Sequence, residues 1–71
     1  MYRYRSDRKQ YVSEDGKPYF SYYIKLERSE KRVDDVTTNR AEAKQIVQLL
    51  NAGQVHPHFL LSFVSTYIDK E

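Results

Sequence analysis

His56 and His58 flank Pro57, and this His-x-His pair is the first place in the chain to look for a metal ion. A metal site needs three or four ligands at fixed geometry, and two histidines on a helix share a face when they stand three or four apart. No cysteine exists to complete a ligand set, and the Phe59-Leu60-Leu61 stretch that follows offers no carboxylate. The pair therefore reads as helix-entry residues whose rings can hydrogen-bond a first-turn amide, and no metal is expected. Asp34 and Asp35 are the next candidates, as carboxylates for acid–base work. Adjacent residues on a strand point to opposite faces, so this spacing predicts that the two do not act together. No nucleophile elbow is present, and two glycines leave little for a phosphate-cradling loop. The expectation is a protein without catalytic residues or a cofactor.

The opening stretch MYRYRSDRKQY poses a different chemistry. Arg3, Arg5, Arg8 and Lys9 against Asp7 give these residues a net +3, whereas the whole chain sums to only +2. Basic side chains neutralise phosphates, and aromatic rings on an open sheet face can stack bases. Arg3, Arg5, Arg8 and Lys9, with Tyr19 and Tyr23 beside them, thus form the nucleic-acid alternative. Against it stand the acidic segments around Asp15 and Asp34, the balanced charge elsewhere and the lack of an RNP-like pattern. A strand that keeps charges on a sheet edge to deter aggregation would look the same.

Protein binding is the favoured reading, with homodimerisation as one form of it. Seven tyrosines in 71 residues exceed what so small a core can enclose with satisfied hydroxyls. Tyr and Arg are also the residue types enriched at interface hot spots. The candidate contact residues are Tyr19 and Tyr23 on one sheet face, Arg3 and Arg5 at an edge, and Phe59 and Phe63 on the last helix. The protein partner's identity is not written in the sequence.

Two periodicities define the elements that must position these residues. From Pro18 to Arg28 the alternation is period two, with Phe20, Tyr22, Ile24 and Leu26 on the inner face and Tyr19, Ser21, Tyr23, Lys25 and Glu27 on the outer. Asp15-Gly16 ahead of it supplies a tight hairpin turn. The first strand must then come from residues 2 to 12, where the polar Ser6 to Gln10 run suggests a bulged, frayed or edge strand. Arg32 to Val36 is expected as a third strand, although Val33 and Val36 break strict alternation.

The period changes at Asn39, where Asn39 and Glu42 have capping-box spacing and Thr38 is the competing cap. Ala43, Ile46, Val47 and Leu50 follow helical spacing, and Gly53 stands where a left-handed C-terminal residue is expected. Pro57 suits the start of a second helix. Phe59, Leu60, Leu61, Phe63, Val64, Tyr67 and Ile68 give that helix an apolar arc of about 200°, wider than one packing partner requires. Ser62, Ser65, Thr66, Asp69 and Lys70 fill its polar side. The predicted fold class is α+β: a three-stranded antiparallel meander over residues 1–37, then two helices over 38–71 on one sheet face, in a single domain spanning 1–71.

With no cysteine, no apolar run long enough for a bilayer and no apolar segment after the basic start, the expectation is a cytoplasmic protein with no membrane contact. The order of signals resembles a family of short bacterial proteins, mainly from Clostridia-like Gram-positive species, that is known only as a domain of unknown function. The resemblance rests on GKPYFSYYIKL and on VDDVTTNRAEAKQIVQLLNAGQVHPHFLLSFVSTYI, with Gly16 and Tyr19, Thr37 to Asn39, Leu49 to Asn51, Pro57, Phe59 and Leu60 at the matching positions. It implies this fold and no reaction. Phe59 stands where the family pattern has a histidine.

Overall fold

The computed structural model describes residues 1–69. Lys70, placed above on the polar side of the last helix, lies outside them. Three strands, β1 (Tyr4–Val12), β2 (Pro18–Leu26) and β3 (Arg32–Thr37), form an antiparallel sheet in the order β1-β2-β3. Helix α1 (Arg40–Ala52), a 3₁₀ turn (Pro57–Phe59) and helix α2 (Leu60–Asp69) follow. The α+β meander with two C-terminal helices is the fold that the sequence predicts.

Gly16 takes φ 81° in the β1–β2 turn, and its N–H donates to the Ser13 carbonyl at 2.9 Å. From there the pairing runs unbroken from Val12↔Pro18 to Tyr4↔Leu26. The Ser6 to Gln10 run therefore carries no bulge; it is polar because β1 is an edge strand. The irregularity sits in β3 instead. Between the pairs Ile24↔Val33 and Tyr22↔Thr37, β3 spends two residues more than β2, and Asp35 there adopts φ 52°. This break lets Val33 and Val36 both pack into the core cluster, three apart though they are.

The core joins Tyr4, Ile24 and Val36 of the sheet to Ile46 and Leu50 of α1 and Leu60 and Val64 of α2. Phe20 shares the inner face by alternation but stays 52% exposed, because the helices leave the turn end of the hairpin uncovered. On the broad α2 arc, Leu60 and Val64 are buried and Phe63, Tyr67 and Ile68 pack against the cluster, whereas Leu61 remains exposed.

Asn39 is the α1 cap, and its Oδ1 accepts from the Glu42 N–H at 3.1 Å. At the other end the left-handed residue is one place later than expected. Gly53 is right-handed at φ −87°, and Gln54 takes φ 47°. The Val55 N–H reaches the Leu50 carbonyl and the Gln54 N–H the Asn51 carbonyl, which is the Schellman pattern with Gln54 as its left-handed member. Packing of Val55 and Leu50 in one cluster supplies the apolar contact that accompanies this motif. Pro57 likewise opens a 3₁₀ turn rather than α2 itself. His56 caps that turn, its Nδ1 accepting from the His58 N–H at 3.0 Å.

Candidate functional site: the open face of the sheet

Both helices lie on one side of the sheet, so the side chains alternating to the other side have no element above them. On β2 these include Tyr19 and Tyr23, and on β1 Arg5, Asp7, Lys9 and Tyr11. The register places Tyr11 directly across from Tyr19, and their rings stack with centroids 5.9 Å apart and planes at 28°. The Lys9 ammonium stands 5.5 Å from the Tyr11 ring centroid, and the Arg32 guanidinium 5.0 Å from that of Tyr23. Each cation is in range of a ring quadrupole.

The β3 irregularity ties this row together. Arg32 holds Asp34 through Nη2 at 2.8 Å and Nε at 3.3 Å, a two-point contact. The Tyr11 hydroxyl donates to Asp34 Oδ1 at 3.3 Å and accepts from the Asp35 N–H at 3.1 Å. The Tyr19 hydroxyl donates to Asp35 Oδ2. Asp34 and Asp35 thus do act on one face, contrary to the strand-alternation expectation, because the left-handed Asp35 backbone interrupts the pleat. Beneath the row Ser21 is fully buried, and its hydroxyl donates to the Thr37 carbonyl at 3.0 Å.

These contacts set the protonation states. Hydrogen bonding to Arg32 holds the Asp34 carboxyl below the usual carboxylate range, against a smaller opposing effect of partial burial. Tyr11 is raised above the ordinary phenol value chiefly by burial, and Tyr19 chiefly by its hydrogen bond to Asp35. Both phenols therefore stay protonated through neutral pH and serve as donors, the opposite of what a tyrosine nucleophile or base requires.

The sequence-derived candidates fall on several surfaces. Tyr19 and Tyr23 are on the open face. Arg5 and Lys9 alternate to that side, whereas Arg8 alternates to the helix side, its guanidinium 4.6 Å from the Phe20 ring centroid. Arg3 precedes β1 and lines a cleft with Met1, Tyr2, Glu27, Asn51 and Gln54. Phe59 is exposed beside the rings of His56 and His58, and Phe63 lines an apolar groove with Leu49, Thr66 and Tyr67. Sequence reasoning missed Tyr11, Arg32, Asp34 and Asp35 as members of the site. For Tyr11 the signal was present: counting outward from the Asp15-Gly16 turn brings it opposite Tyr19. No family profile, curated protein or solved structure matches the chain. No helix among the described residues is long and apolar enough to cross a membrane.

Proposed function

We propose that this chain is a small non-enzymatic protein-binding module of the cytoplasm, an adaptor, inhibitor or regulator, that recognises its partner through the open sheet face. The observation that carries the reading is the Tyr11–Tyr19 stack with Tyr23 beside it, held in place by Arg32, Asp34 and Asp35. The Tyr11 and Tyr19 rings, already fixed by their hydroxyls, lose little conformational freedom on binding, which is one of the main costs of association. Tyr and Arg are also the side chains that most often dominate an interface energetically. The lack of cysteine supports a reducing compartment.

The nucleic-acid alternative draws less from this geometry. Arg3, Arg5, Arg8 and Lys9 do not all converge on the open face, and three carboxylates, Asp7, Asp34 and Asp35, stand among its tyrosines. The test is a Tyr19→Ser/Tyr23→Ser double variant whose fold is checked by circular dichroism and amide NMR. A partner that cross-links to the wild-type chain should be lost from the folded double variant. Retention of that partner would remove the open face from the interface. Light scattering over a concentration series decides whether the partner is a second copy.

A further inference from the structure

The outer edge of β1 is closed at one end and bare at the other. Register fixes which backbone groups face outward: the Glu27 N–H bonds the Arg3 carbonyl, so Arg3, Arg5, Asp7 and Lys9 turn their peptide groups toward β2. Tyr2, Tyr4, Ser6, Arg8 and Gln10 turn theirs away. The side-chain amide of Gln54 takes both groups of Tyr2, and that of Asn51 takes both groups of Tyr4. Two residues at the end of α1 thus stand in for a neighbouring strand. Beyond them the substitution stops. The Arg8 N–H is held by the Asp7 carboxylate at 2.8 Å, and the outward groups of Ser6 and Gln10 have no protein partner among the described residues.

Where the bare interval begins, the helix side becomes cationic. A cleft of about 420 Å³ is lined by Ser6, Asp7, Arg8, Tyr22, Arg40 and Lys44. Arg8, Arg40 and Lys44 form no salt bridge among the described residues, unlike Arg32 and Lys17. On the open side the same stretch is mixed, with Asp7 between Arg5 and Lys9. A second copy pairing antiparallel about Arg8 would bring the two Arg8 residues opposite one another with two sets of Arg40 and Lys44, and like charges directly opposed destabilise a sheet.

We infer that the β1 edge from Ser6 to Val12 receives an extended segment of a protein partner, added as a fourth strand, with acidic side chains at every second position facing Arg8, Arg40 and Lys44. The main-chain bonds of Ser6 and Gln10 supply pairing, and the alternate carboxylates supply selectivity. The surface is separate from the tyrosine row and does not depend on it.

The test uses a fluorescein-labelled octapeptide alternating Glu and Thr, a copy N-methylated at alternate residues, a Lys/Thr counterpart and single-stranded oligo-dT. Fluorescence anisotropy should show saturable binding of the Glu/Thr peptide alone. Arg40→Glu/Lys44→Glu should weaken it at least tenfold, and Lys31→Glu, a charge reversal in the turn between β2 and β3, should leave it unchanged. Amide hydrogen exchange at Ser6 and Gln10 should slow in the complex. Equal binding of the N-methylated peptide would reduce the site to charge attraction and overturn the strand assignment. No binding of the Glu/Thr peptide, or tighter binding of oligo-dT at the same residues, would also overturn it.

Discussion

Replacing Asn51 by Ala removes the contact that fixes the start of β1. The Tyr4 N–H donates to Asn51 Oδ1 at 2.7 Å, and Asn51 Nδ2 donates to the Tyr4 carbonyl at 3.1 Å. Each such bond contributes a net 0.5 to about 1.5 kcal/mol, and more when its loss leaves a partly buried peptide group without a partner. The pair is therefore worth about 2 to 3 kcal/mol, and Tyr4, 2% exposed, lies at the centre of the core it anchors. Ala is the better helix former by roughly 0.6 kcal/mol, which offsets part of the loss at this helical position. The net expectation is about 2 kcal/mol of destabilisation, equivalent to a fall in Tm on the order of 8 to 16 °C for a domain of this size. Urea denaturation with an unchanged m-value is the assay, and hydrogen exchange at the Tyr4 amide should accelerate with it. Asn51→Asp keeps an acceptor for the Tyr4 N–H but sets a carboxylate oxygen against the Tyr4 carbonyl, so it should also destabilise. A loss below about 0.5 kcal/mol in Asn51→Ala would refute the view that this amide replaces a strand.

Three further outcomes follow from the same contacts. At position 54 the usual preference of Ala over Gly should reverse: Gln54→Gly and Gln54→Ala both lose the bonds to Tyr2, but only Ala keeps the left-handed strain, so Gly should be the more stable by about 1 kcal/mol in thermal melts. Tyr4→Phe removes the hydroxyl that donates to the Val55 carbonyl and should cost on the order of 1 kcal/mol by denaturant titration, with far-UV circular dichroism unchanged. Because the folded Asp34 carboxyl lies below its ordinary value, its contribution is present above the usual carboxylate range and is lost as pH falls through the folded value. Arg32→Gln should raise that value toward the ordinary one in a carboxyl ¹³C NMR titration.

The parts of the fold written in local pattern were legible from sequence. The β2 alternation, the Asp15-Gly16 turn, the Asn39 cap and the α1 stripe each depend on neighbours within a few residues, and each stands where the pattern puts it. The β3 break was legible only as the failed alternation of Val33 and Val36; its form was not, since that depends on Asp35 accepting a backbone conformation that its residue type only tolerates. That single residue decides whether Asp34 and Asp35 share a face, and so whether Tyr11 and Tyr19 find partners. The roles of Asn51 and Gln54 were equally hidden. Their partners lie 47 and 52 positions away, beyond the reach of any periodicity. Gln54 also displaced the glycine expected as the left-handed member, because the Schellman bonds run from Gln54 and Val55.

The amide contacts to Tyr2 and Tyr4 also order events during synthesis on the ribosome. The first strand leaves the exit tunnel early, and its pairing with β2 is available once residue 26 has emerged. Its N-terminal end gains Asn51 and Gln54 only after the last turn of α1 is outside as well. At roughly 5 to 20 residues per second, the start of β1 waits a second or more with its outward peptide groups bare. Over that interval the nascent chain exposes the entire β1 edge, and emergence of Asn51 and Gln54 closes one end of it. A chaperone or partner that engages the edge co-translationally meets a longer template than one that arrives after folding.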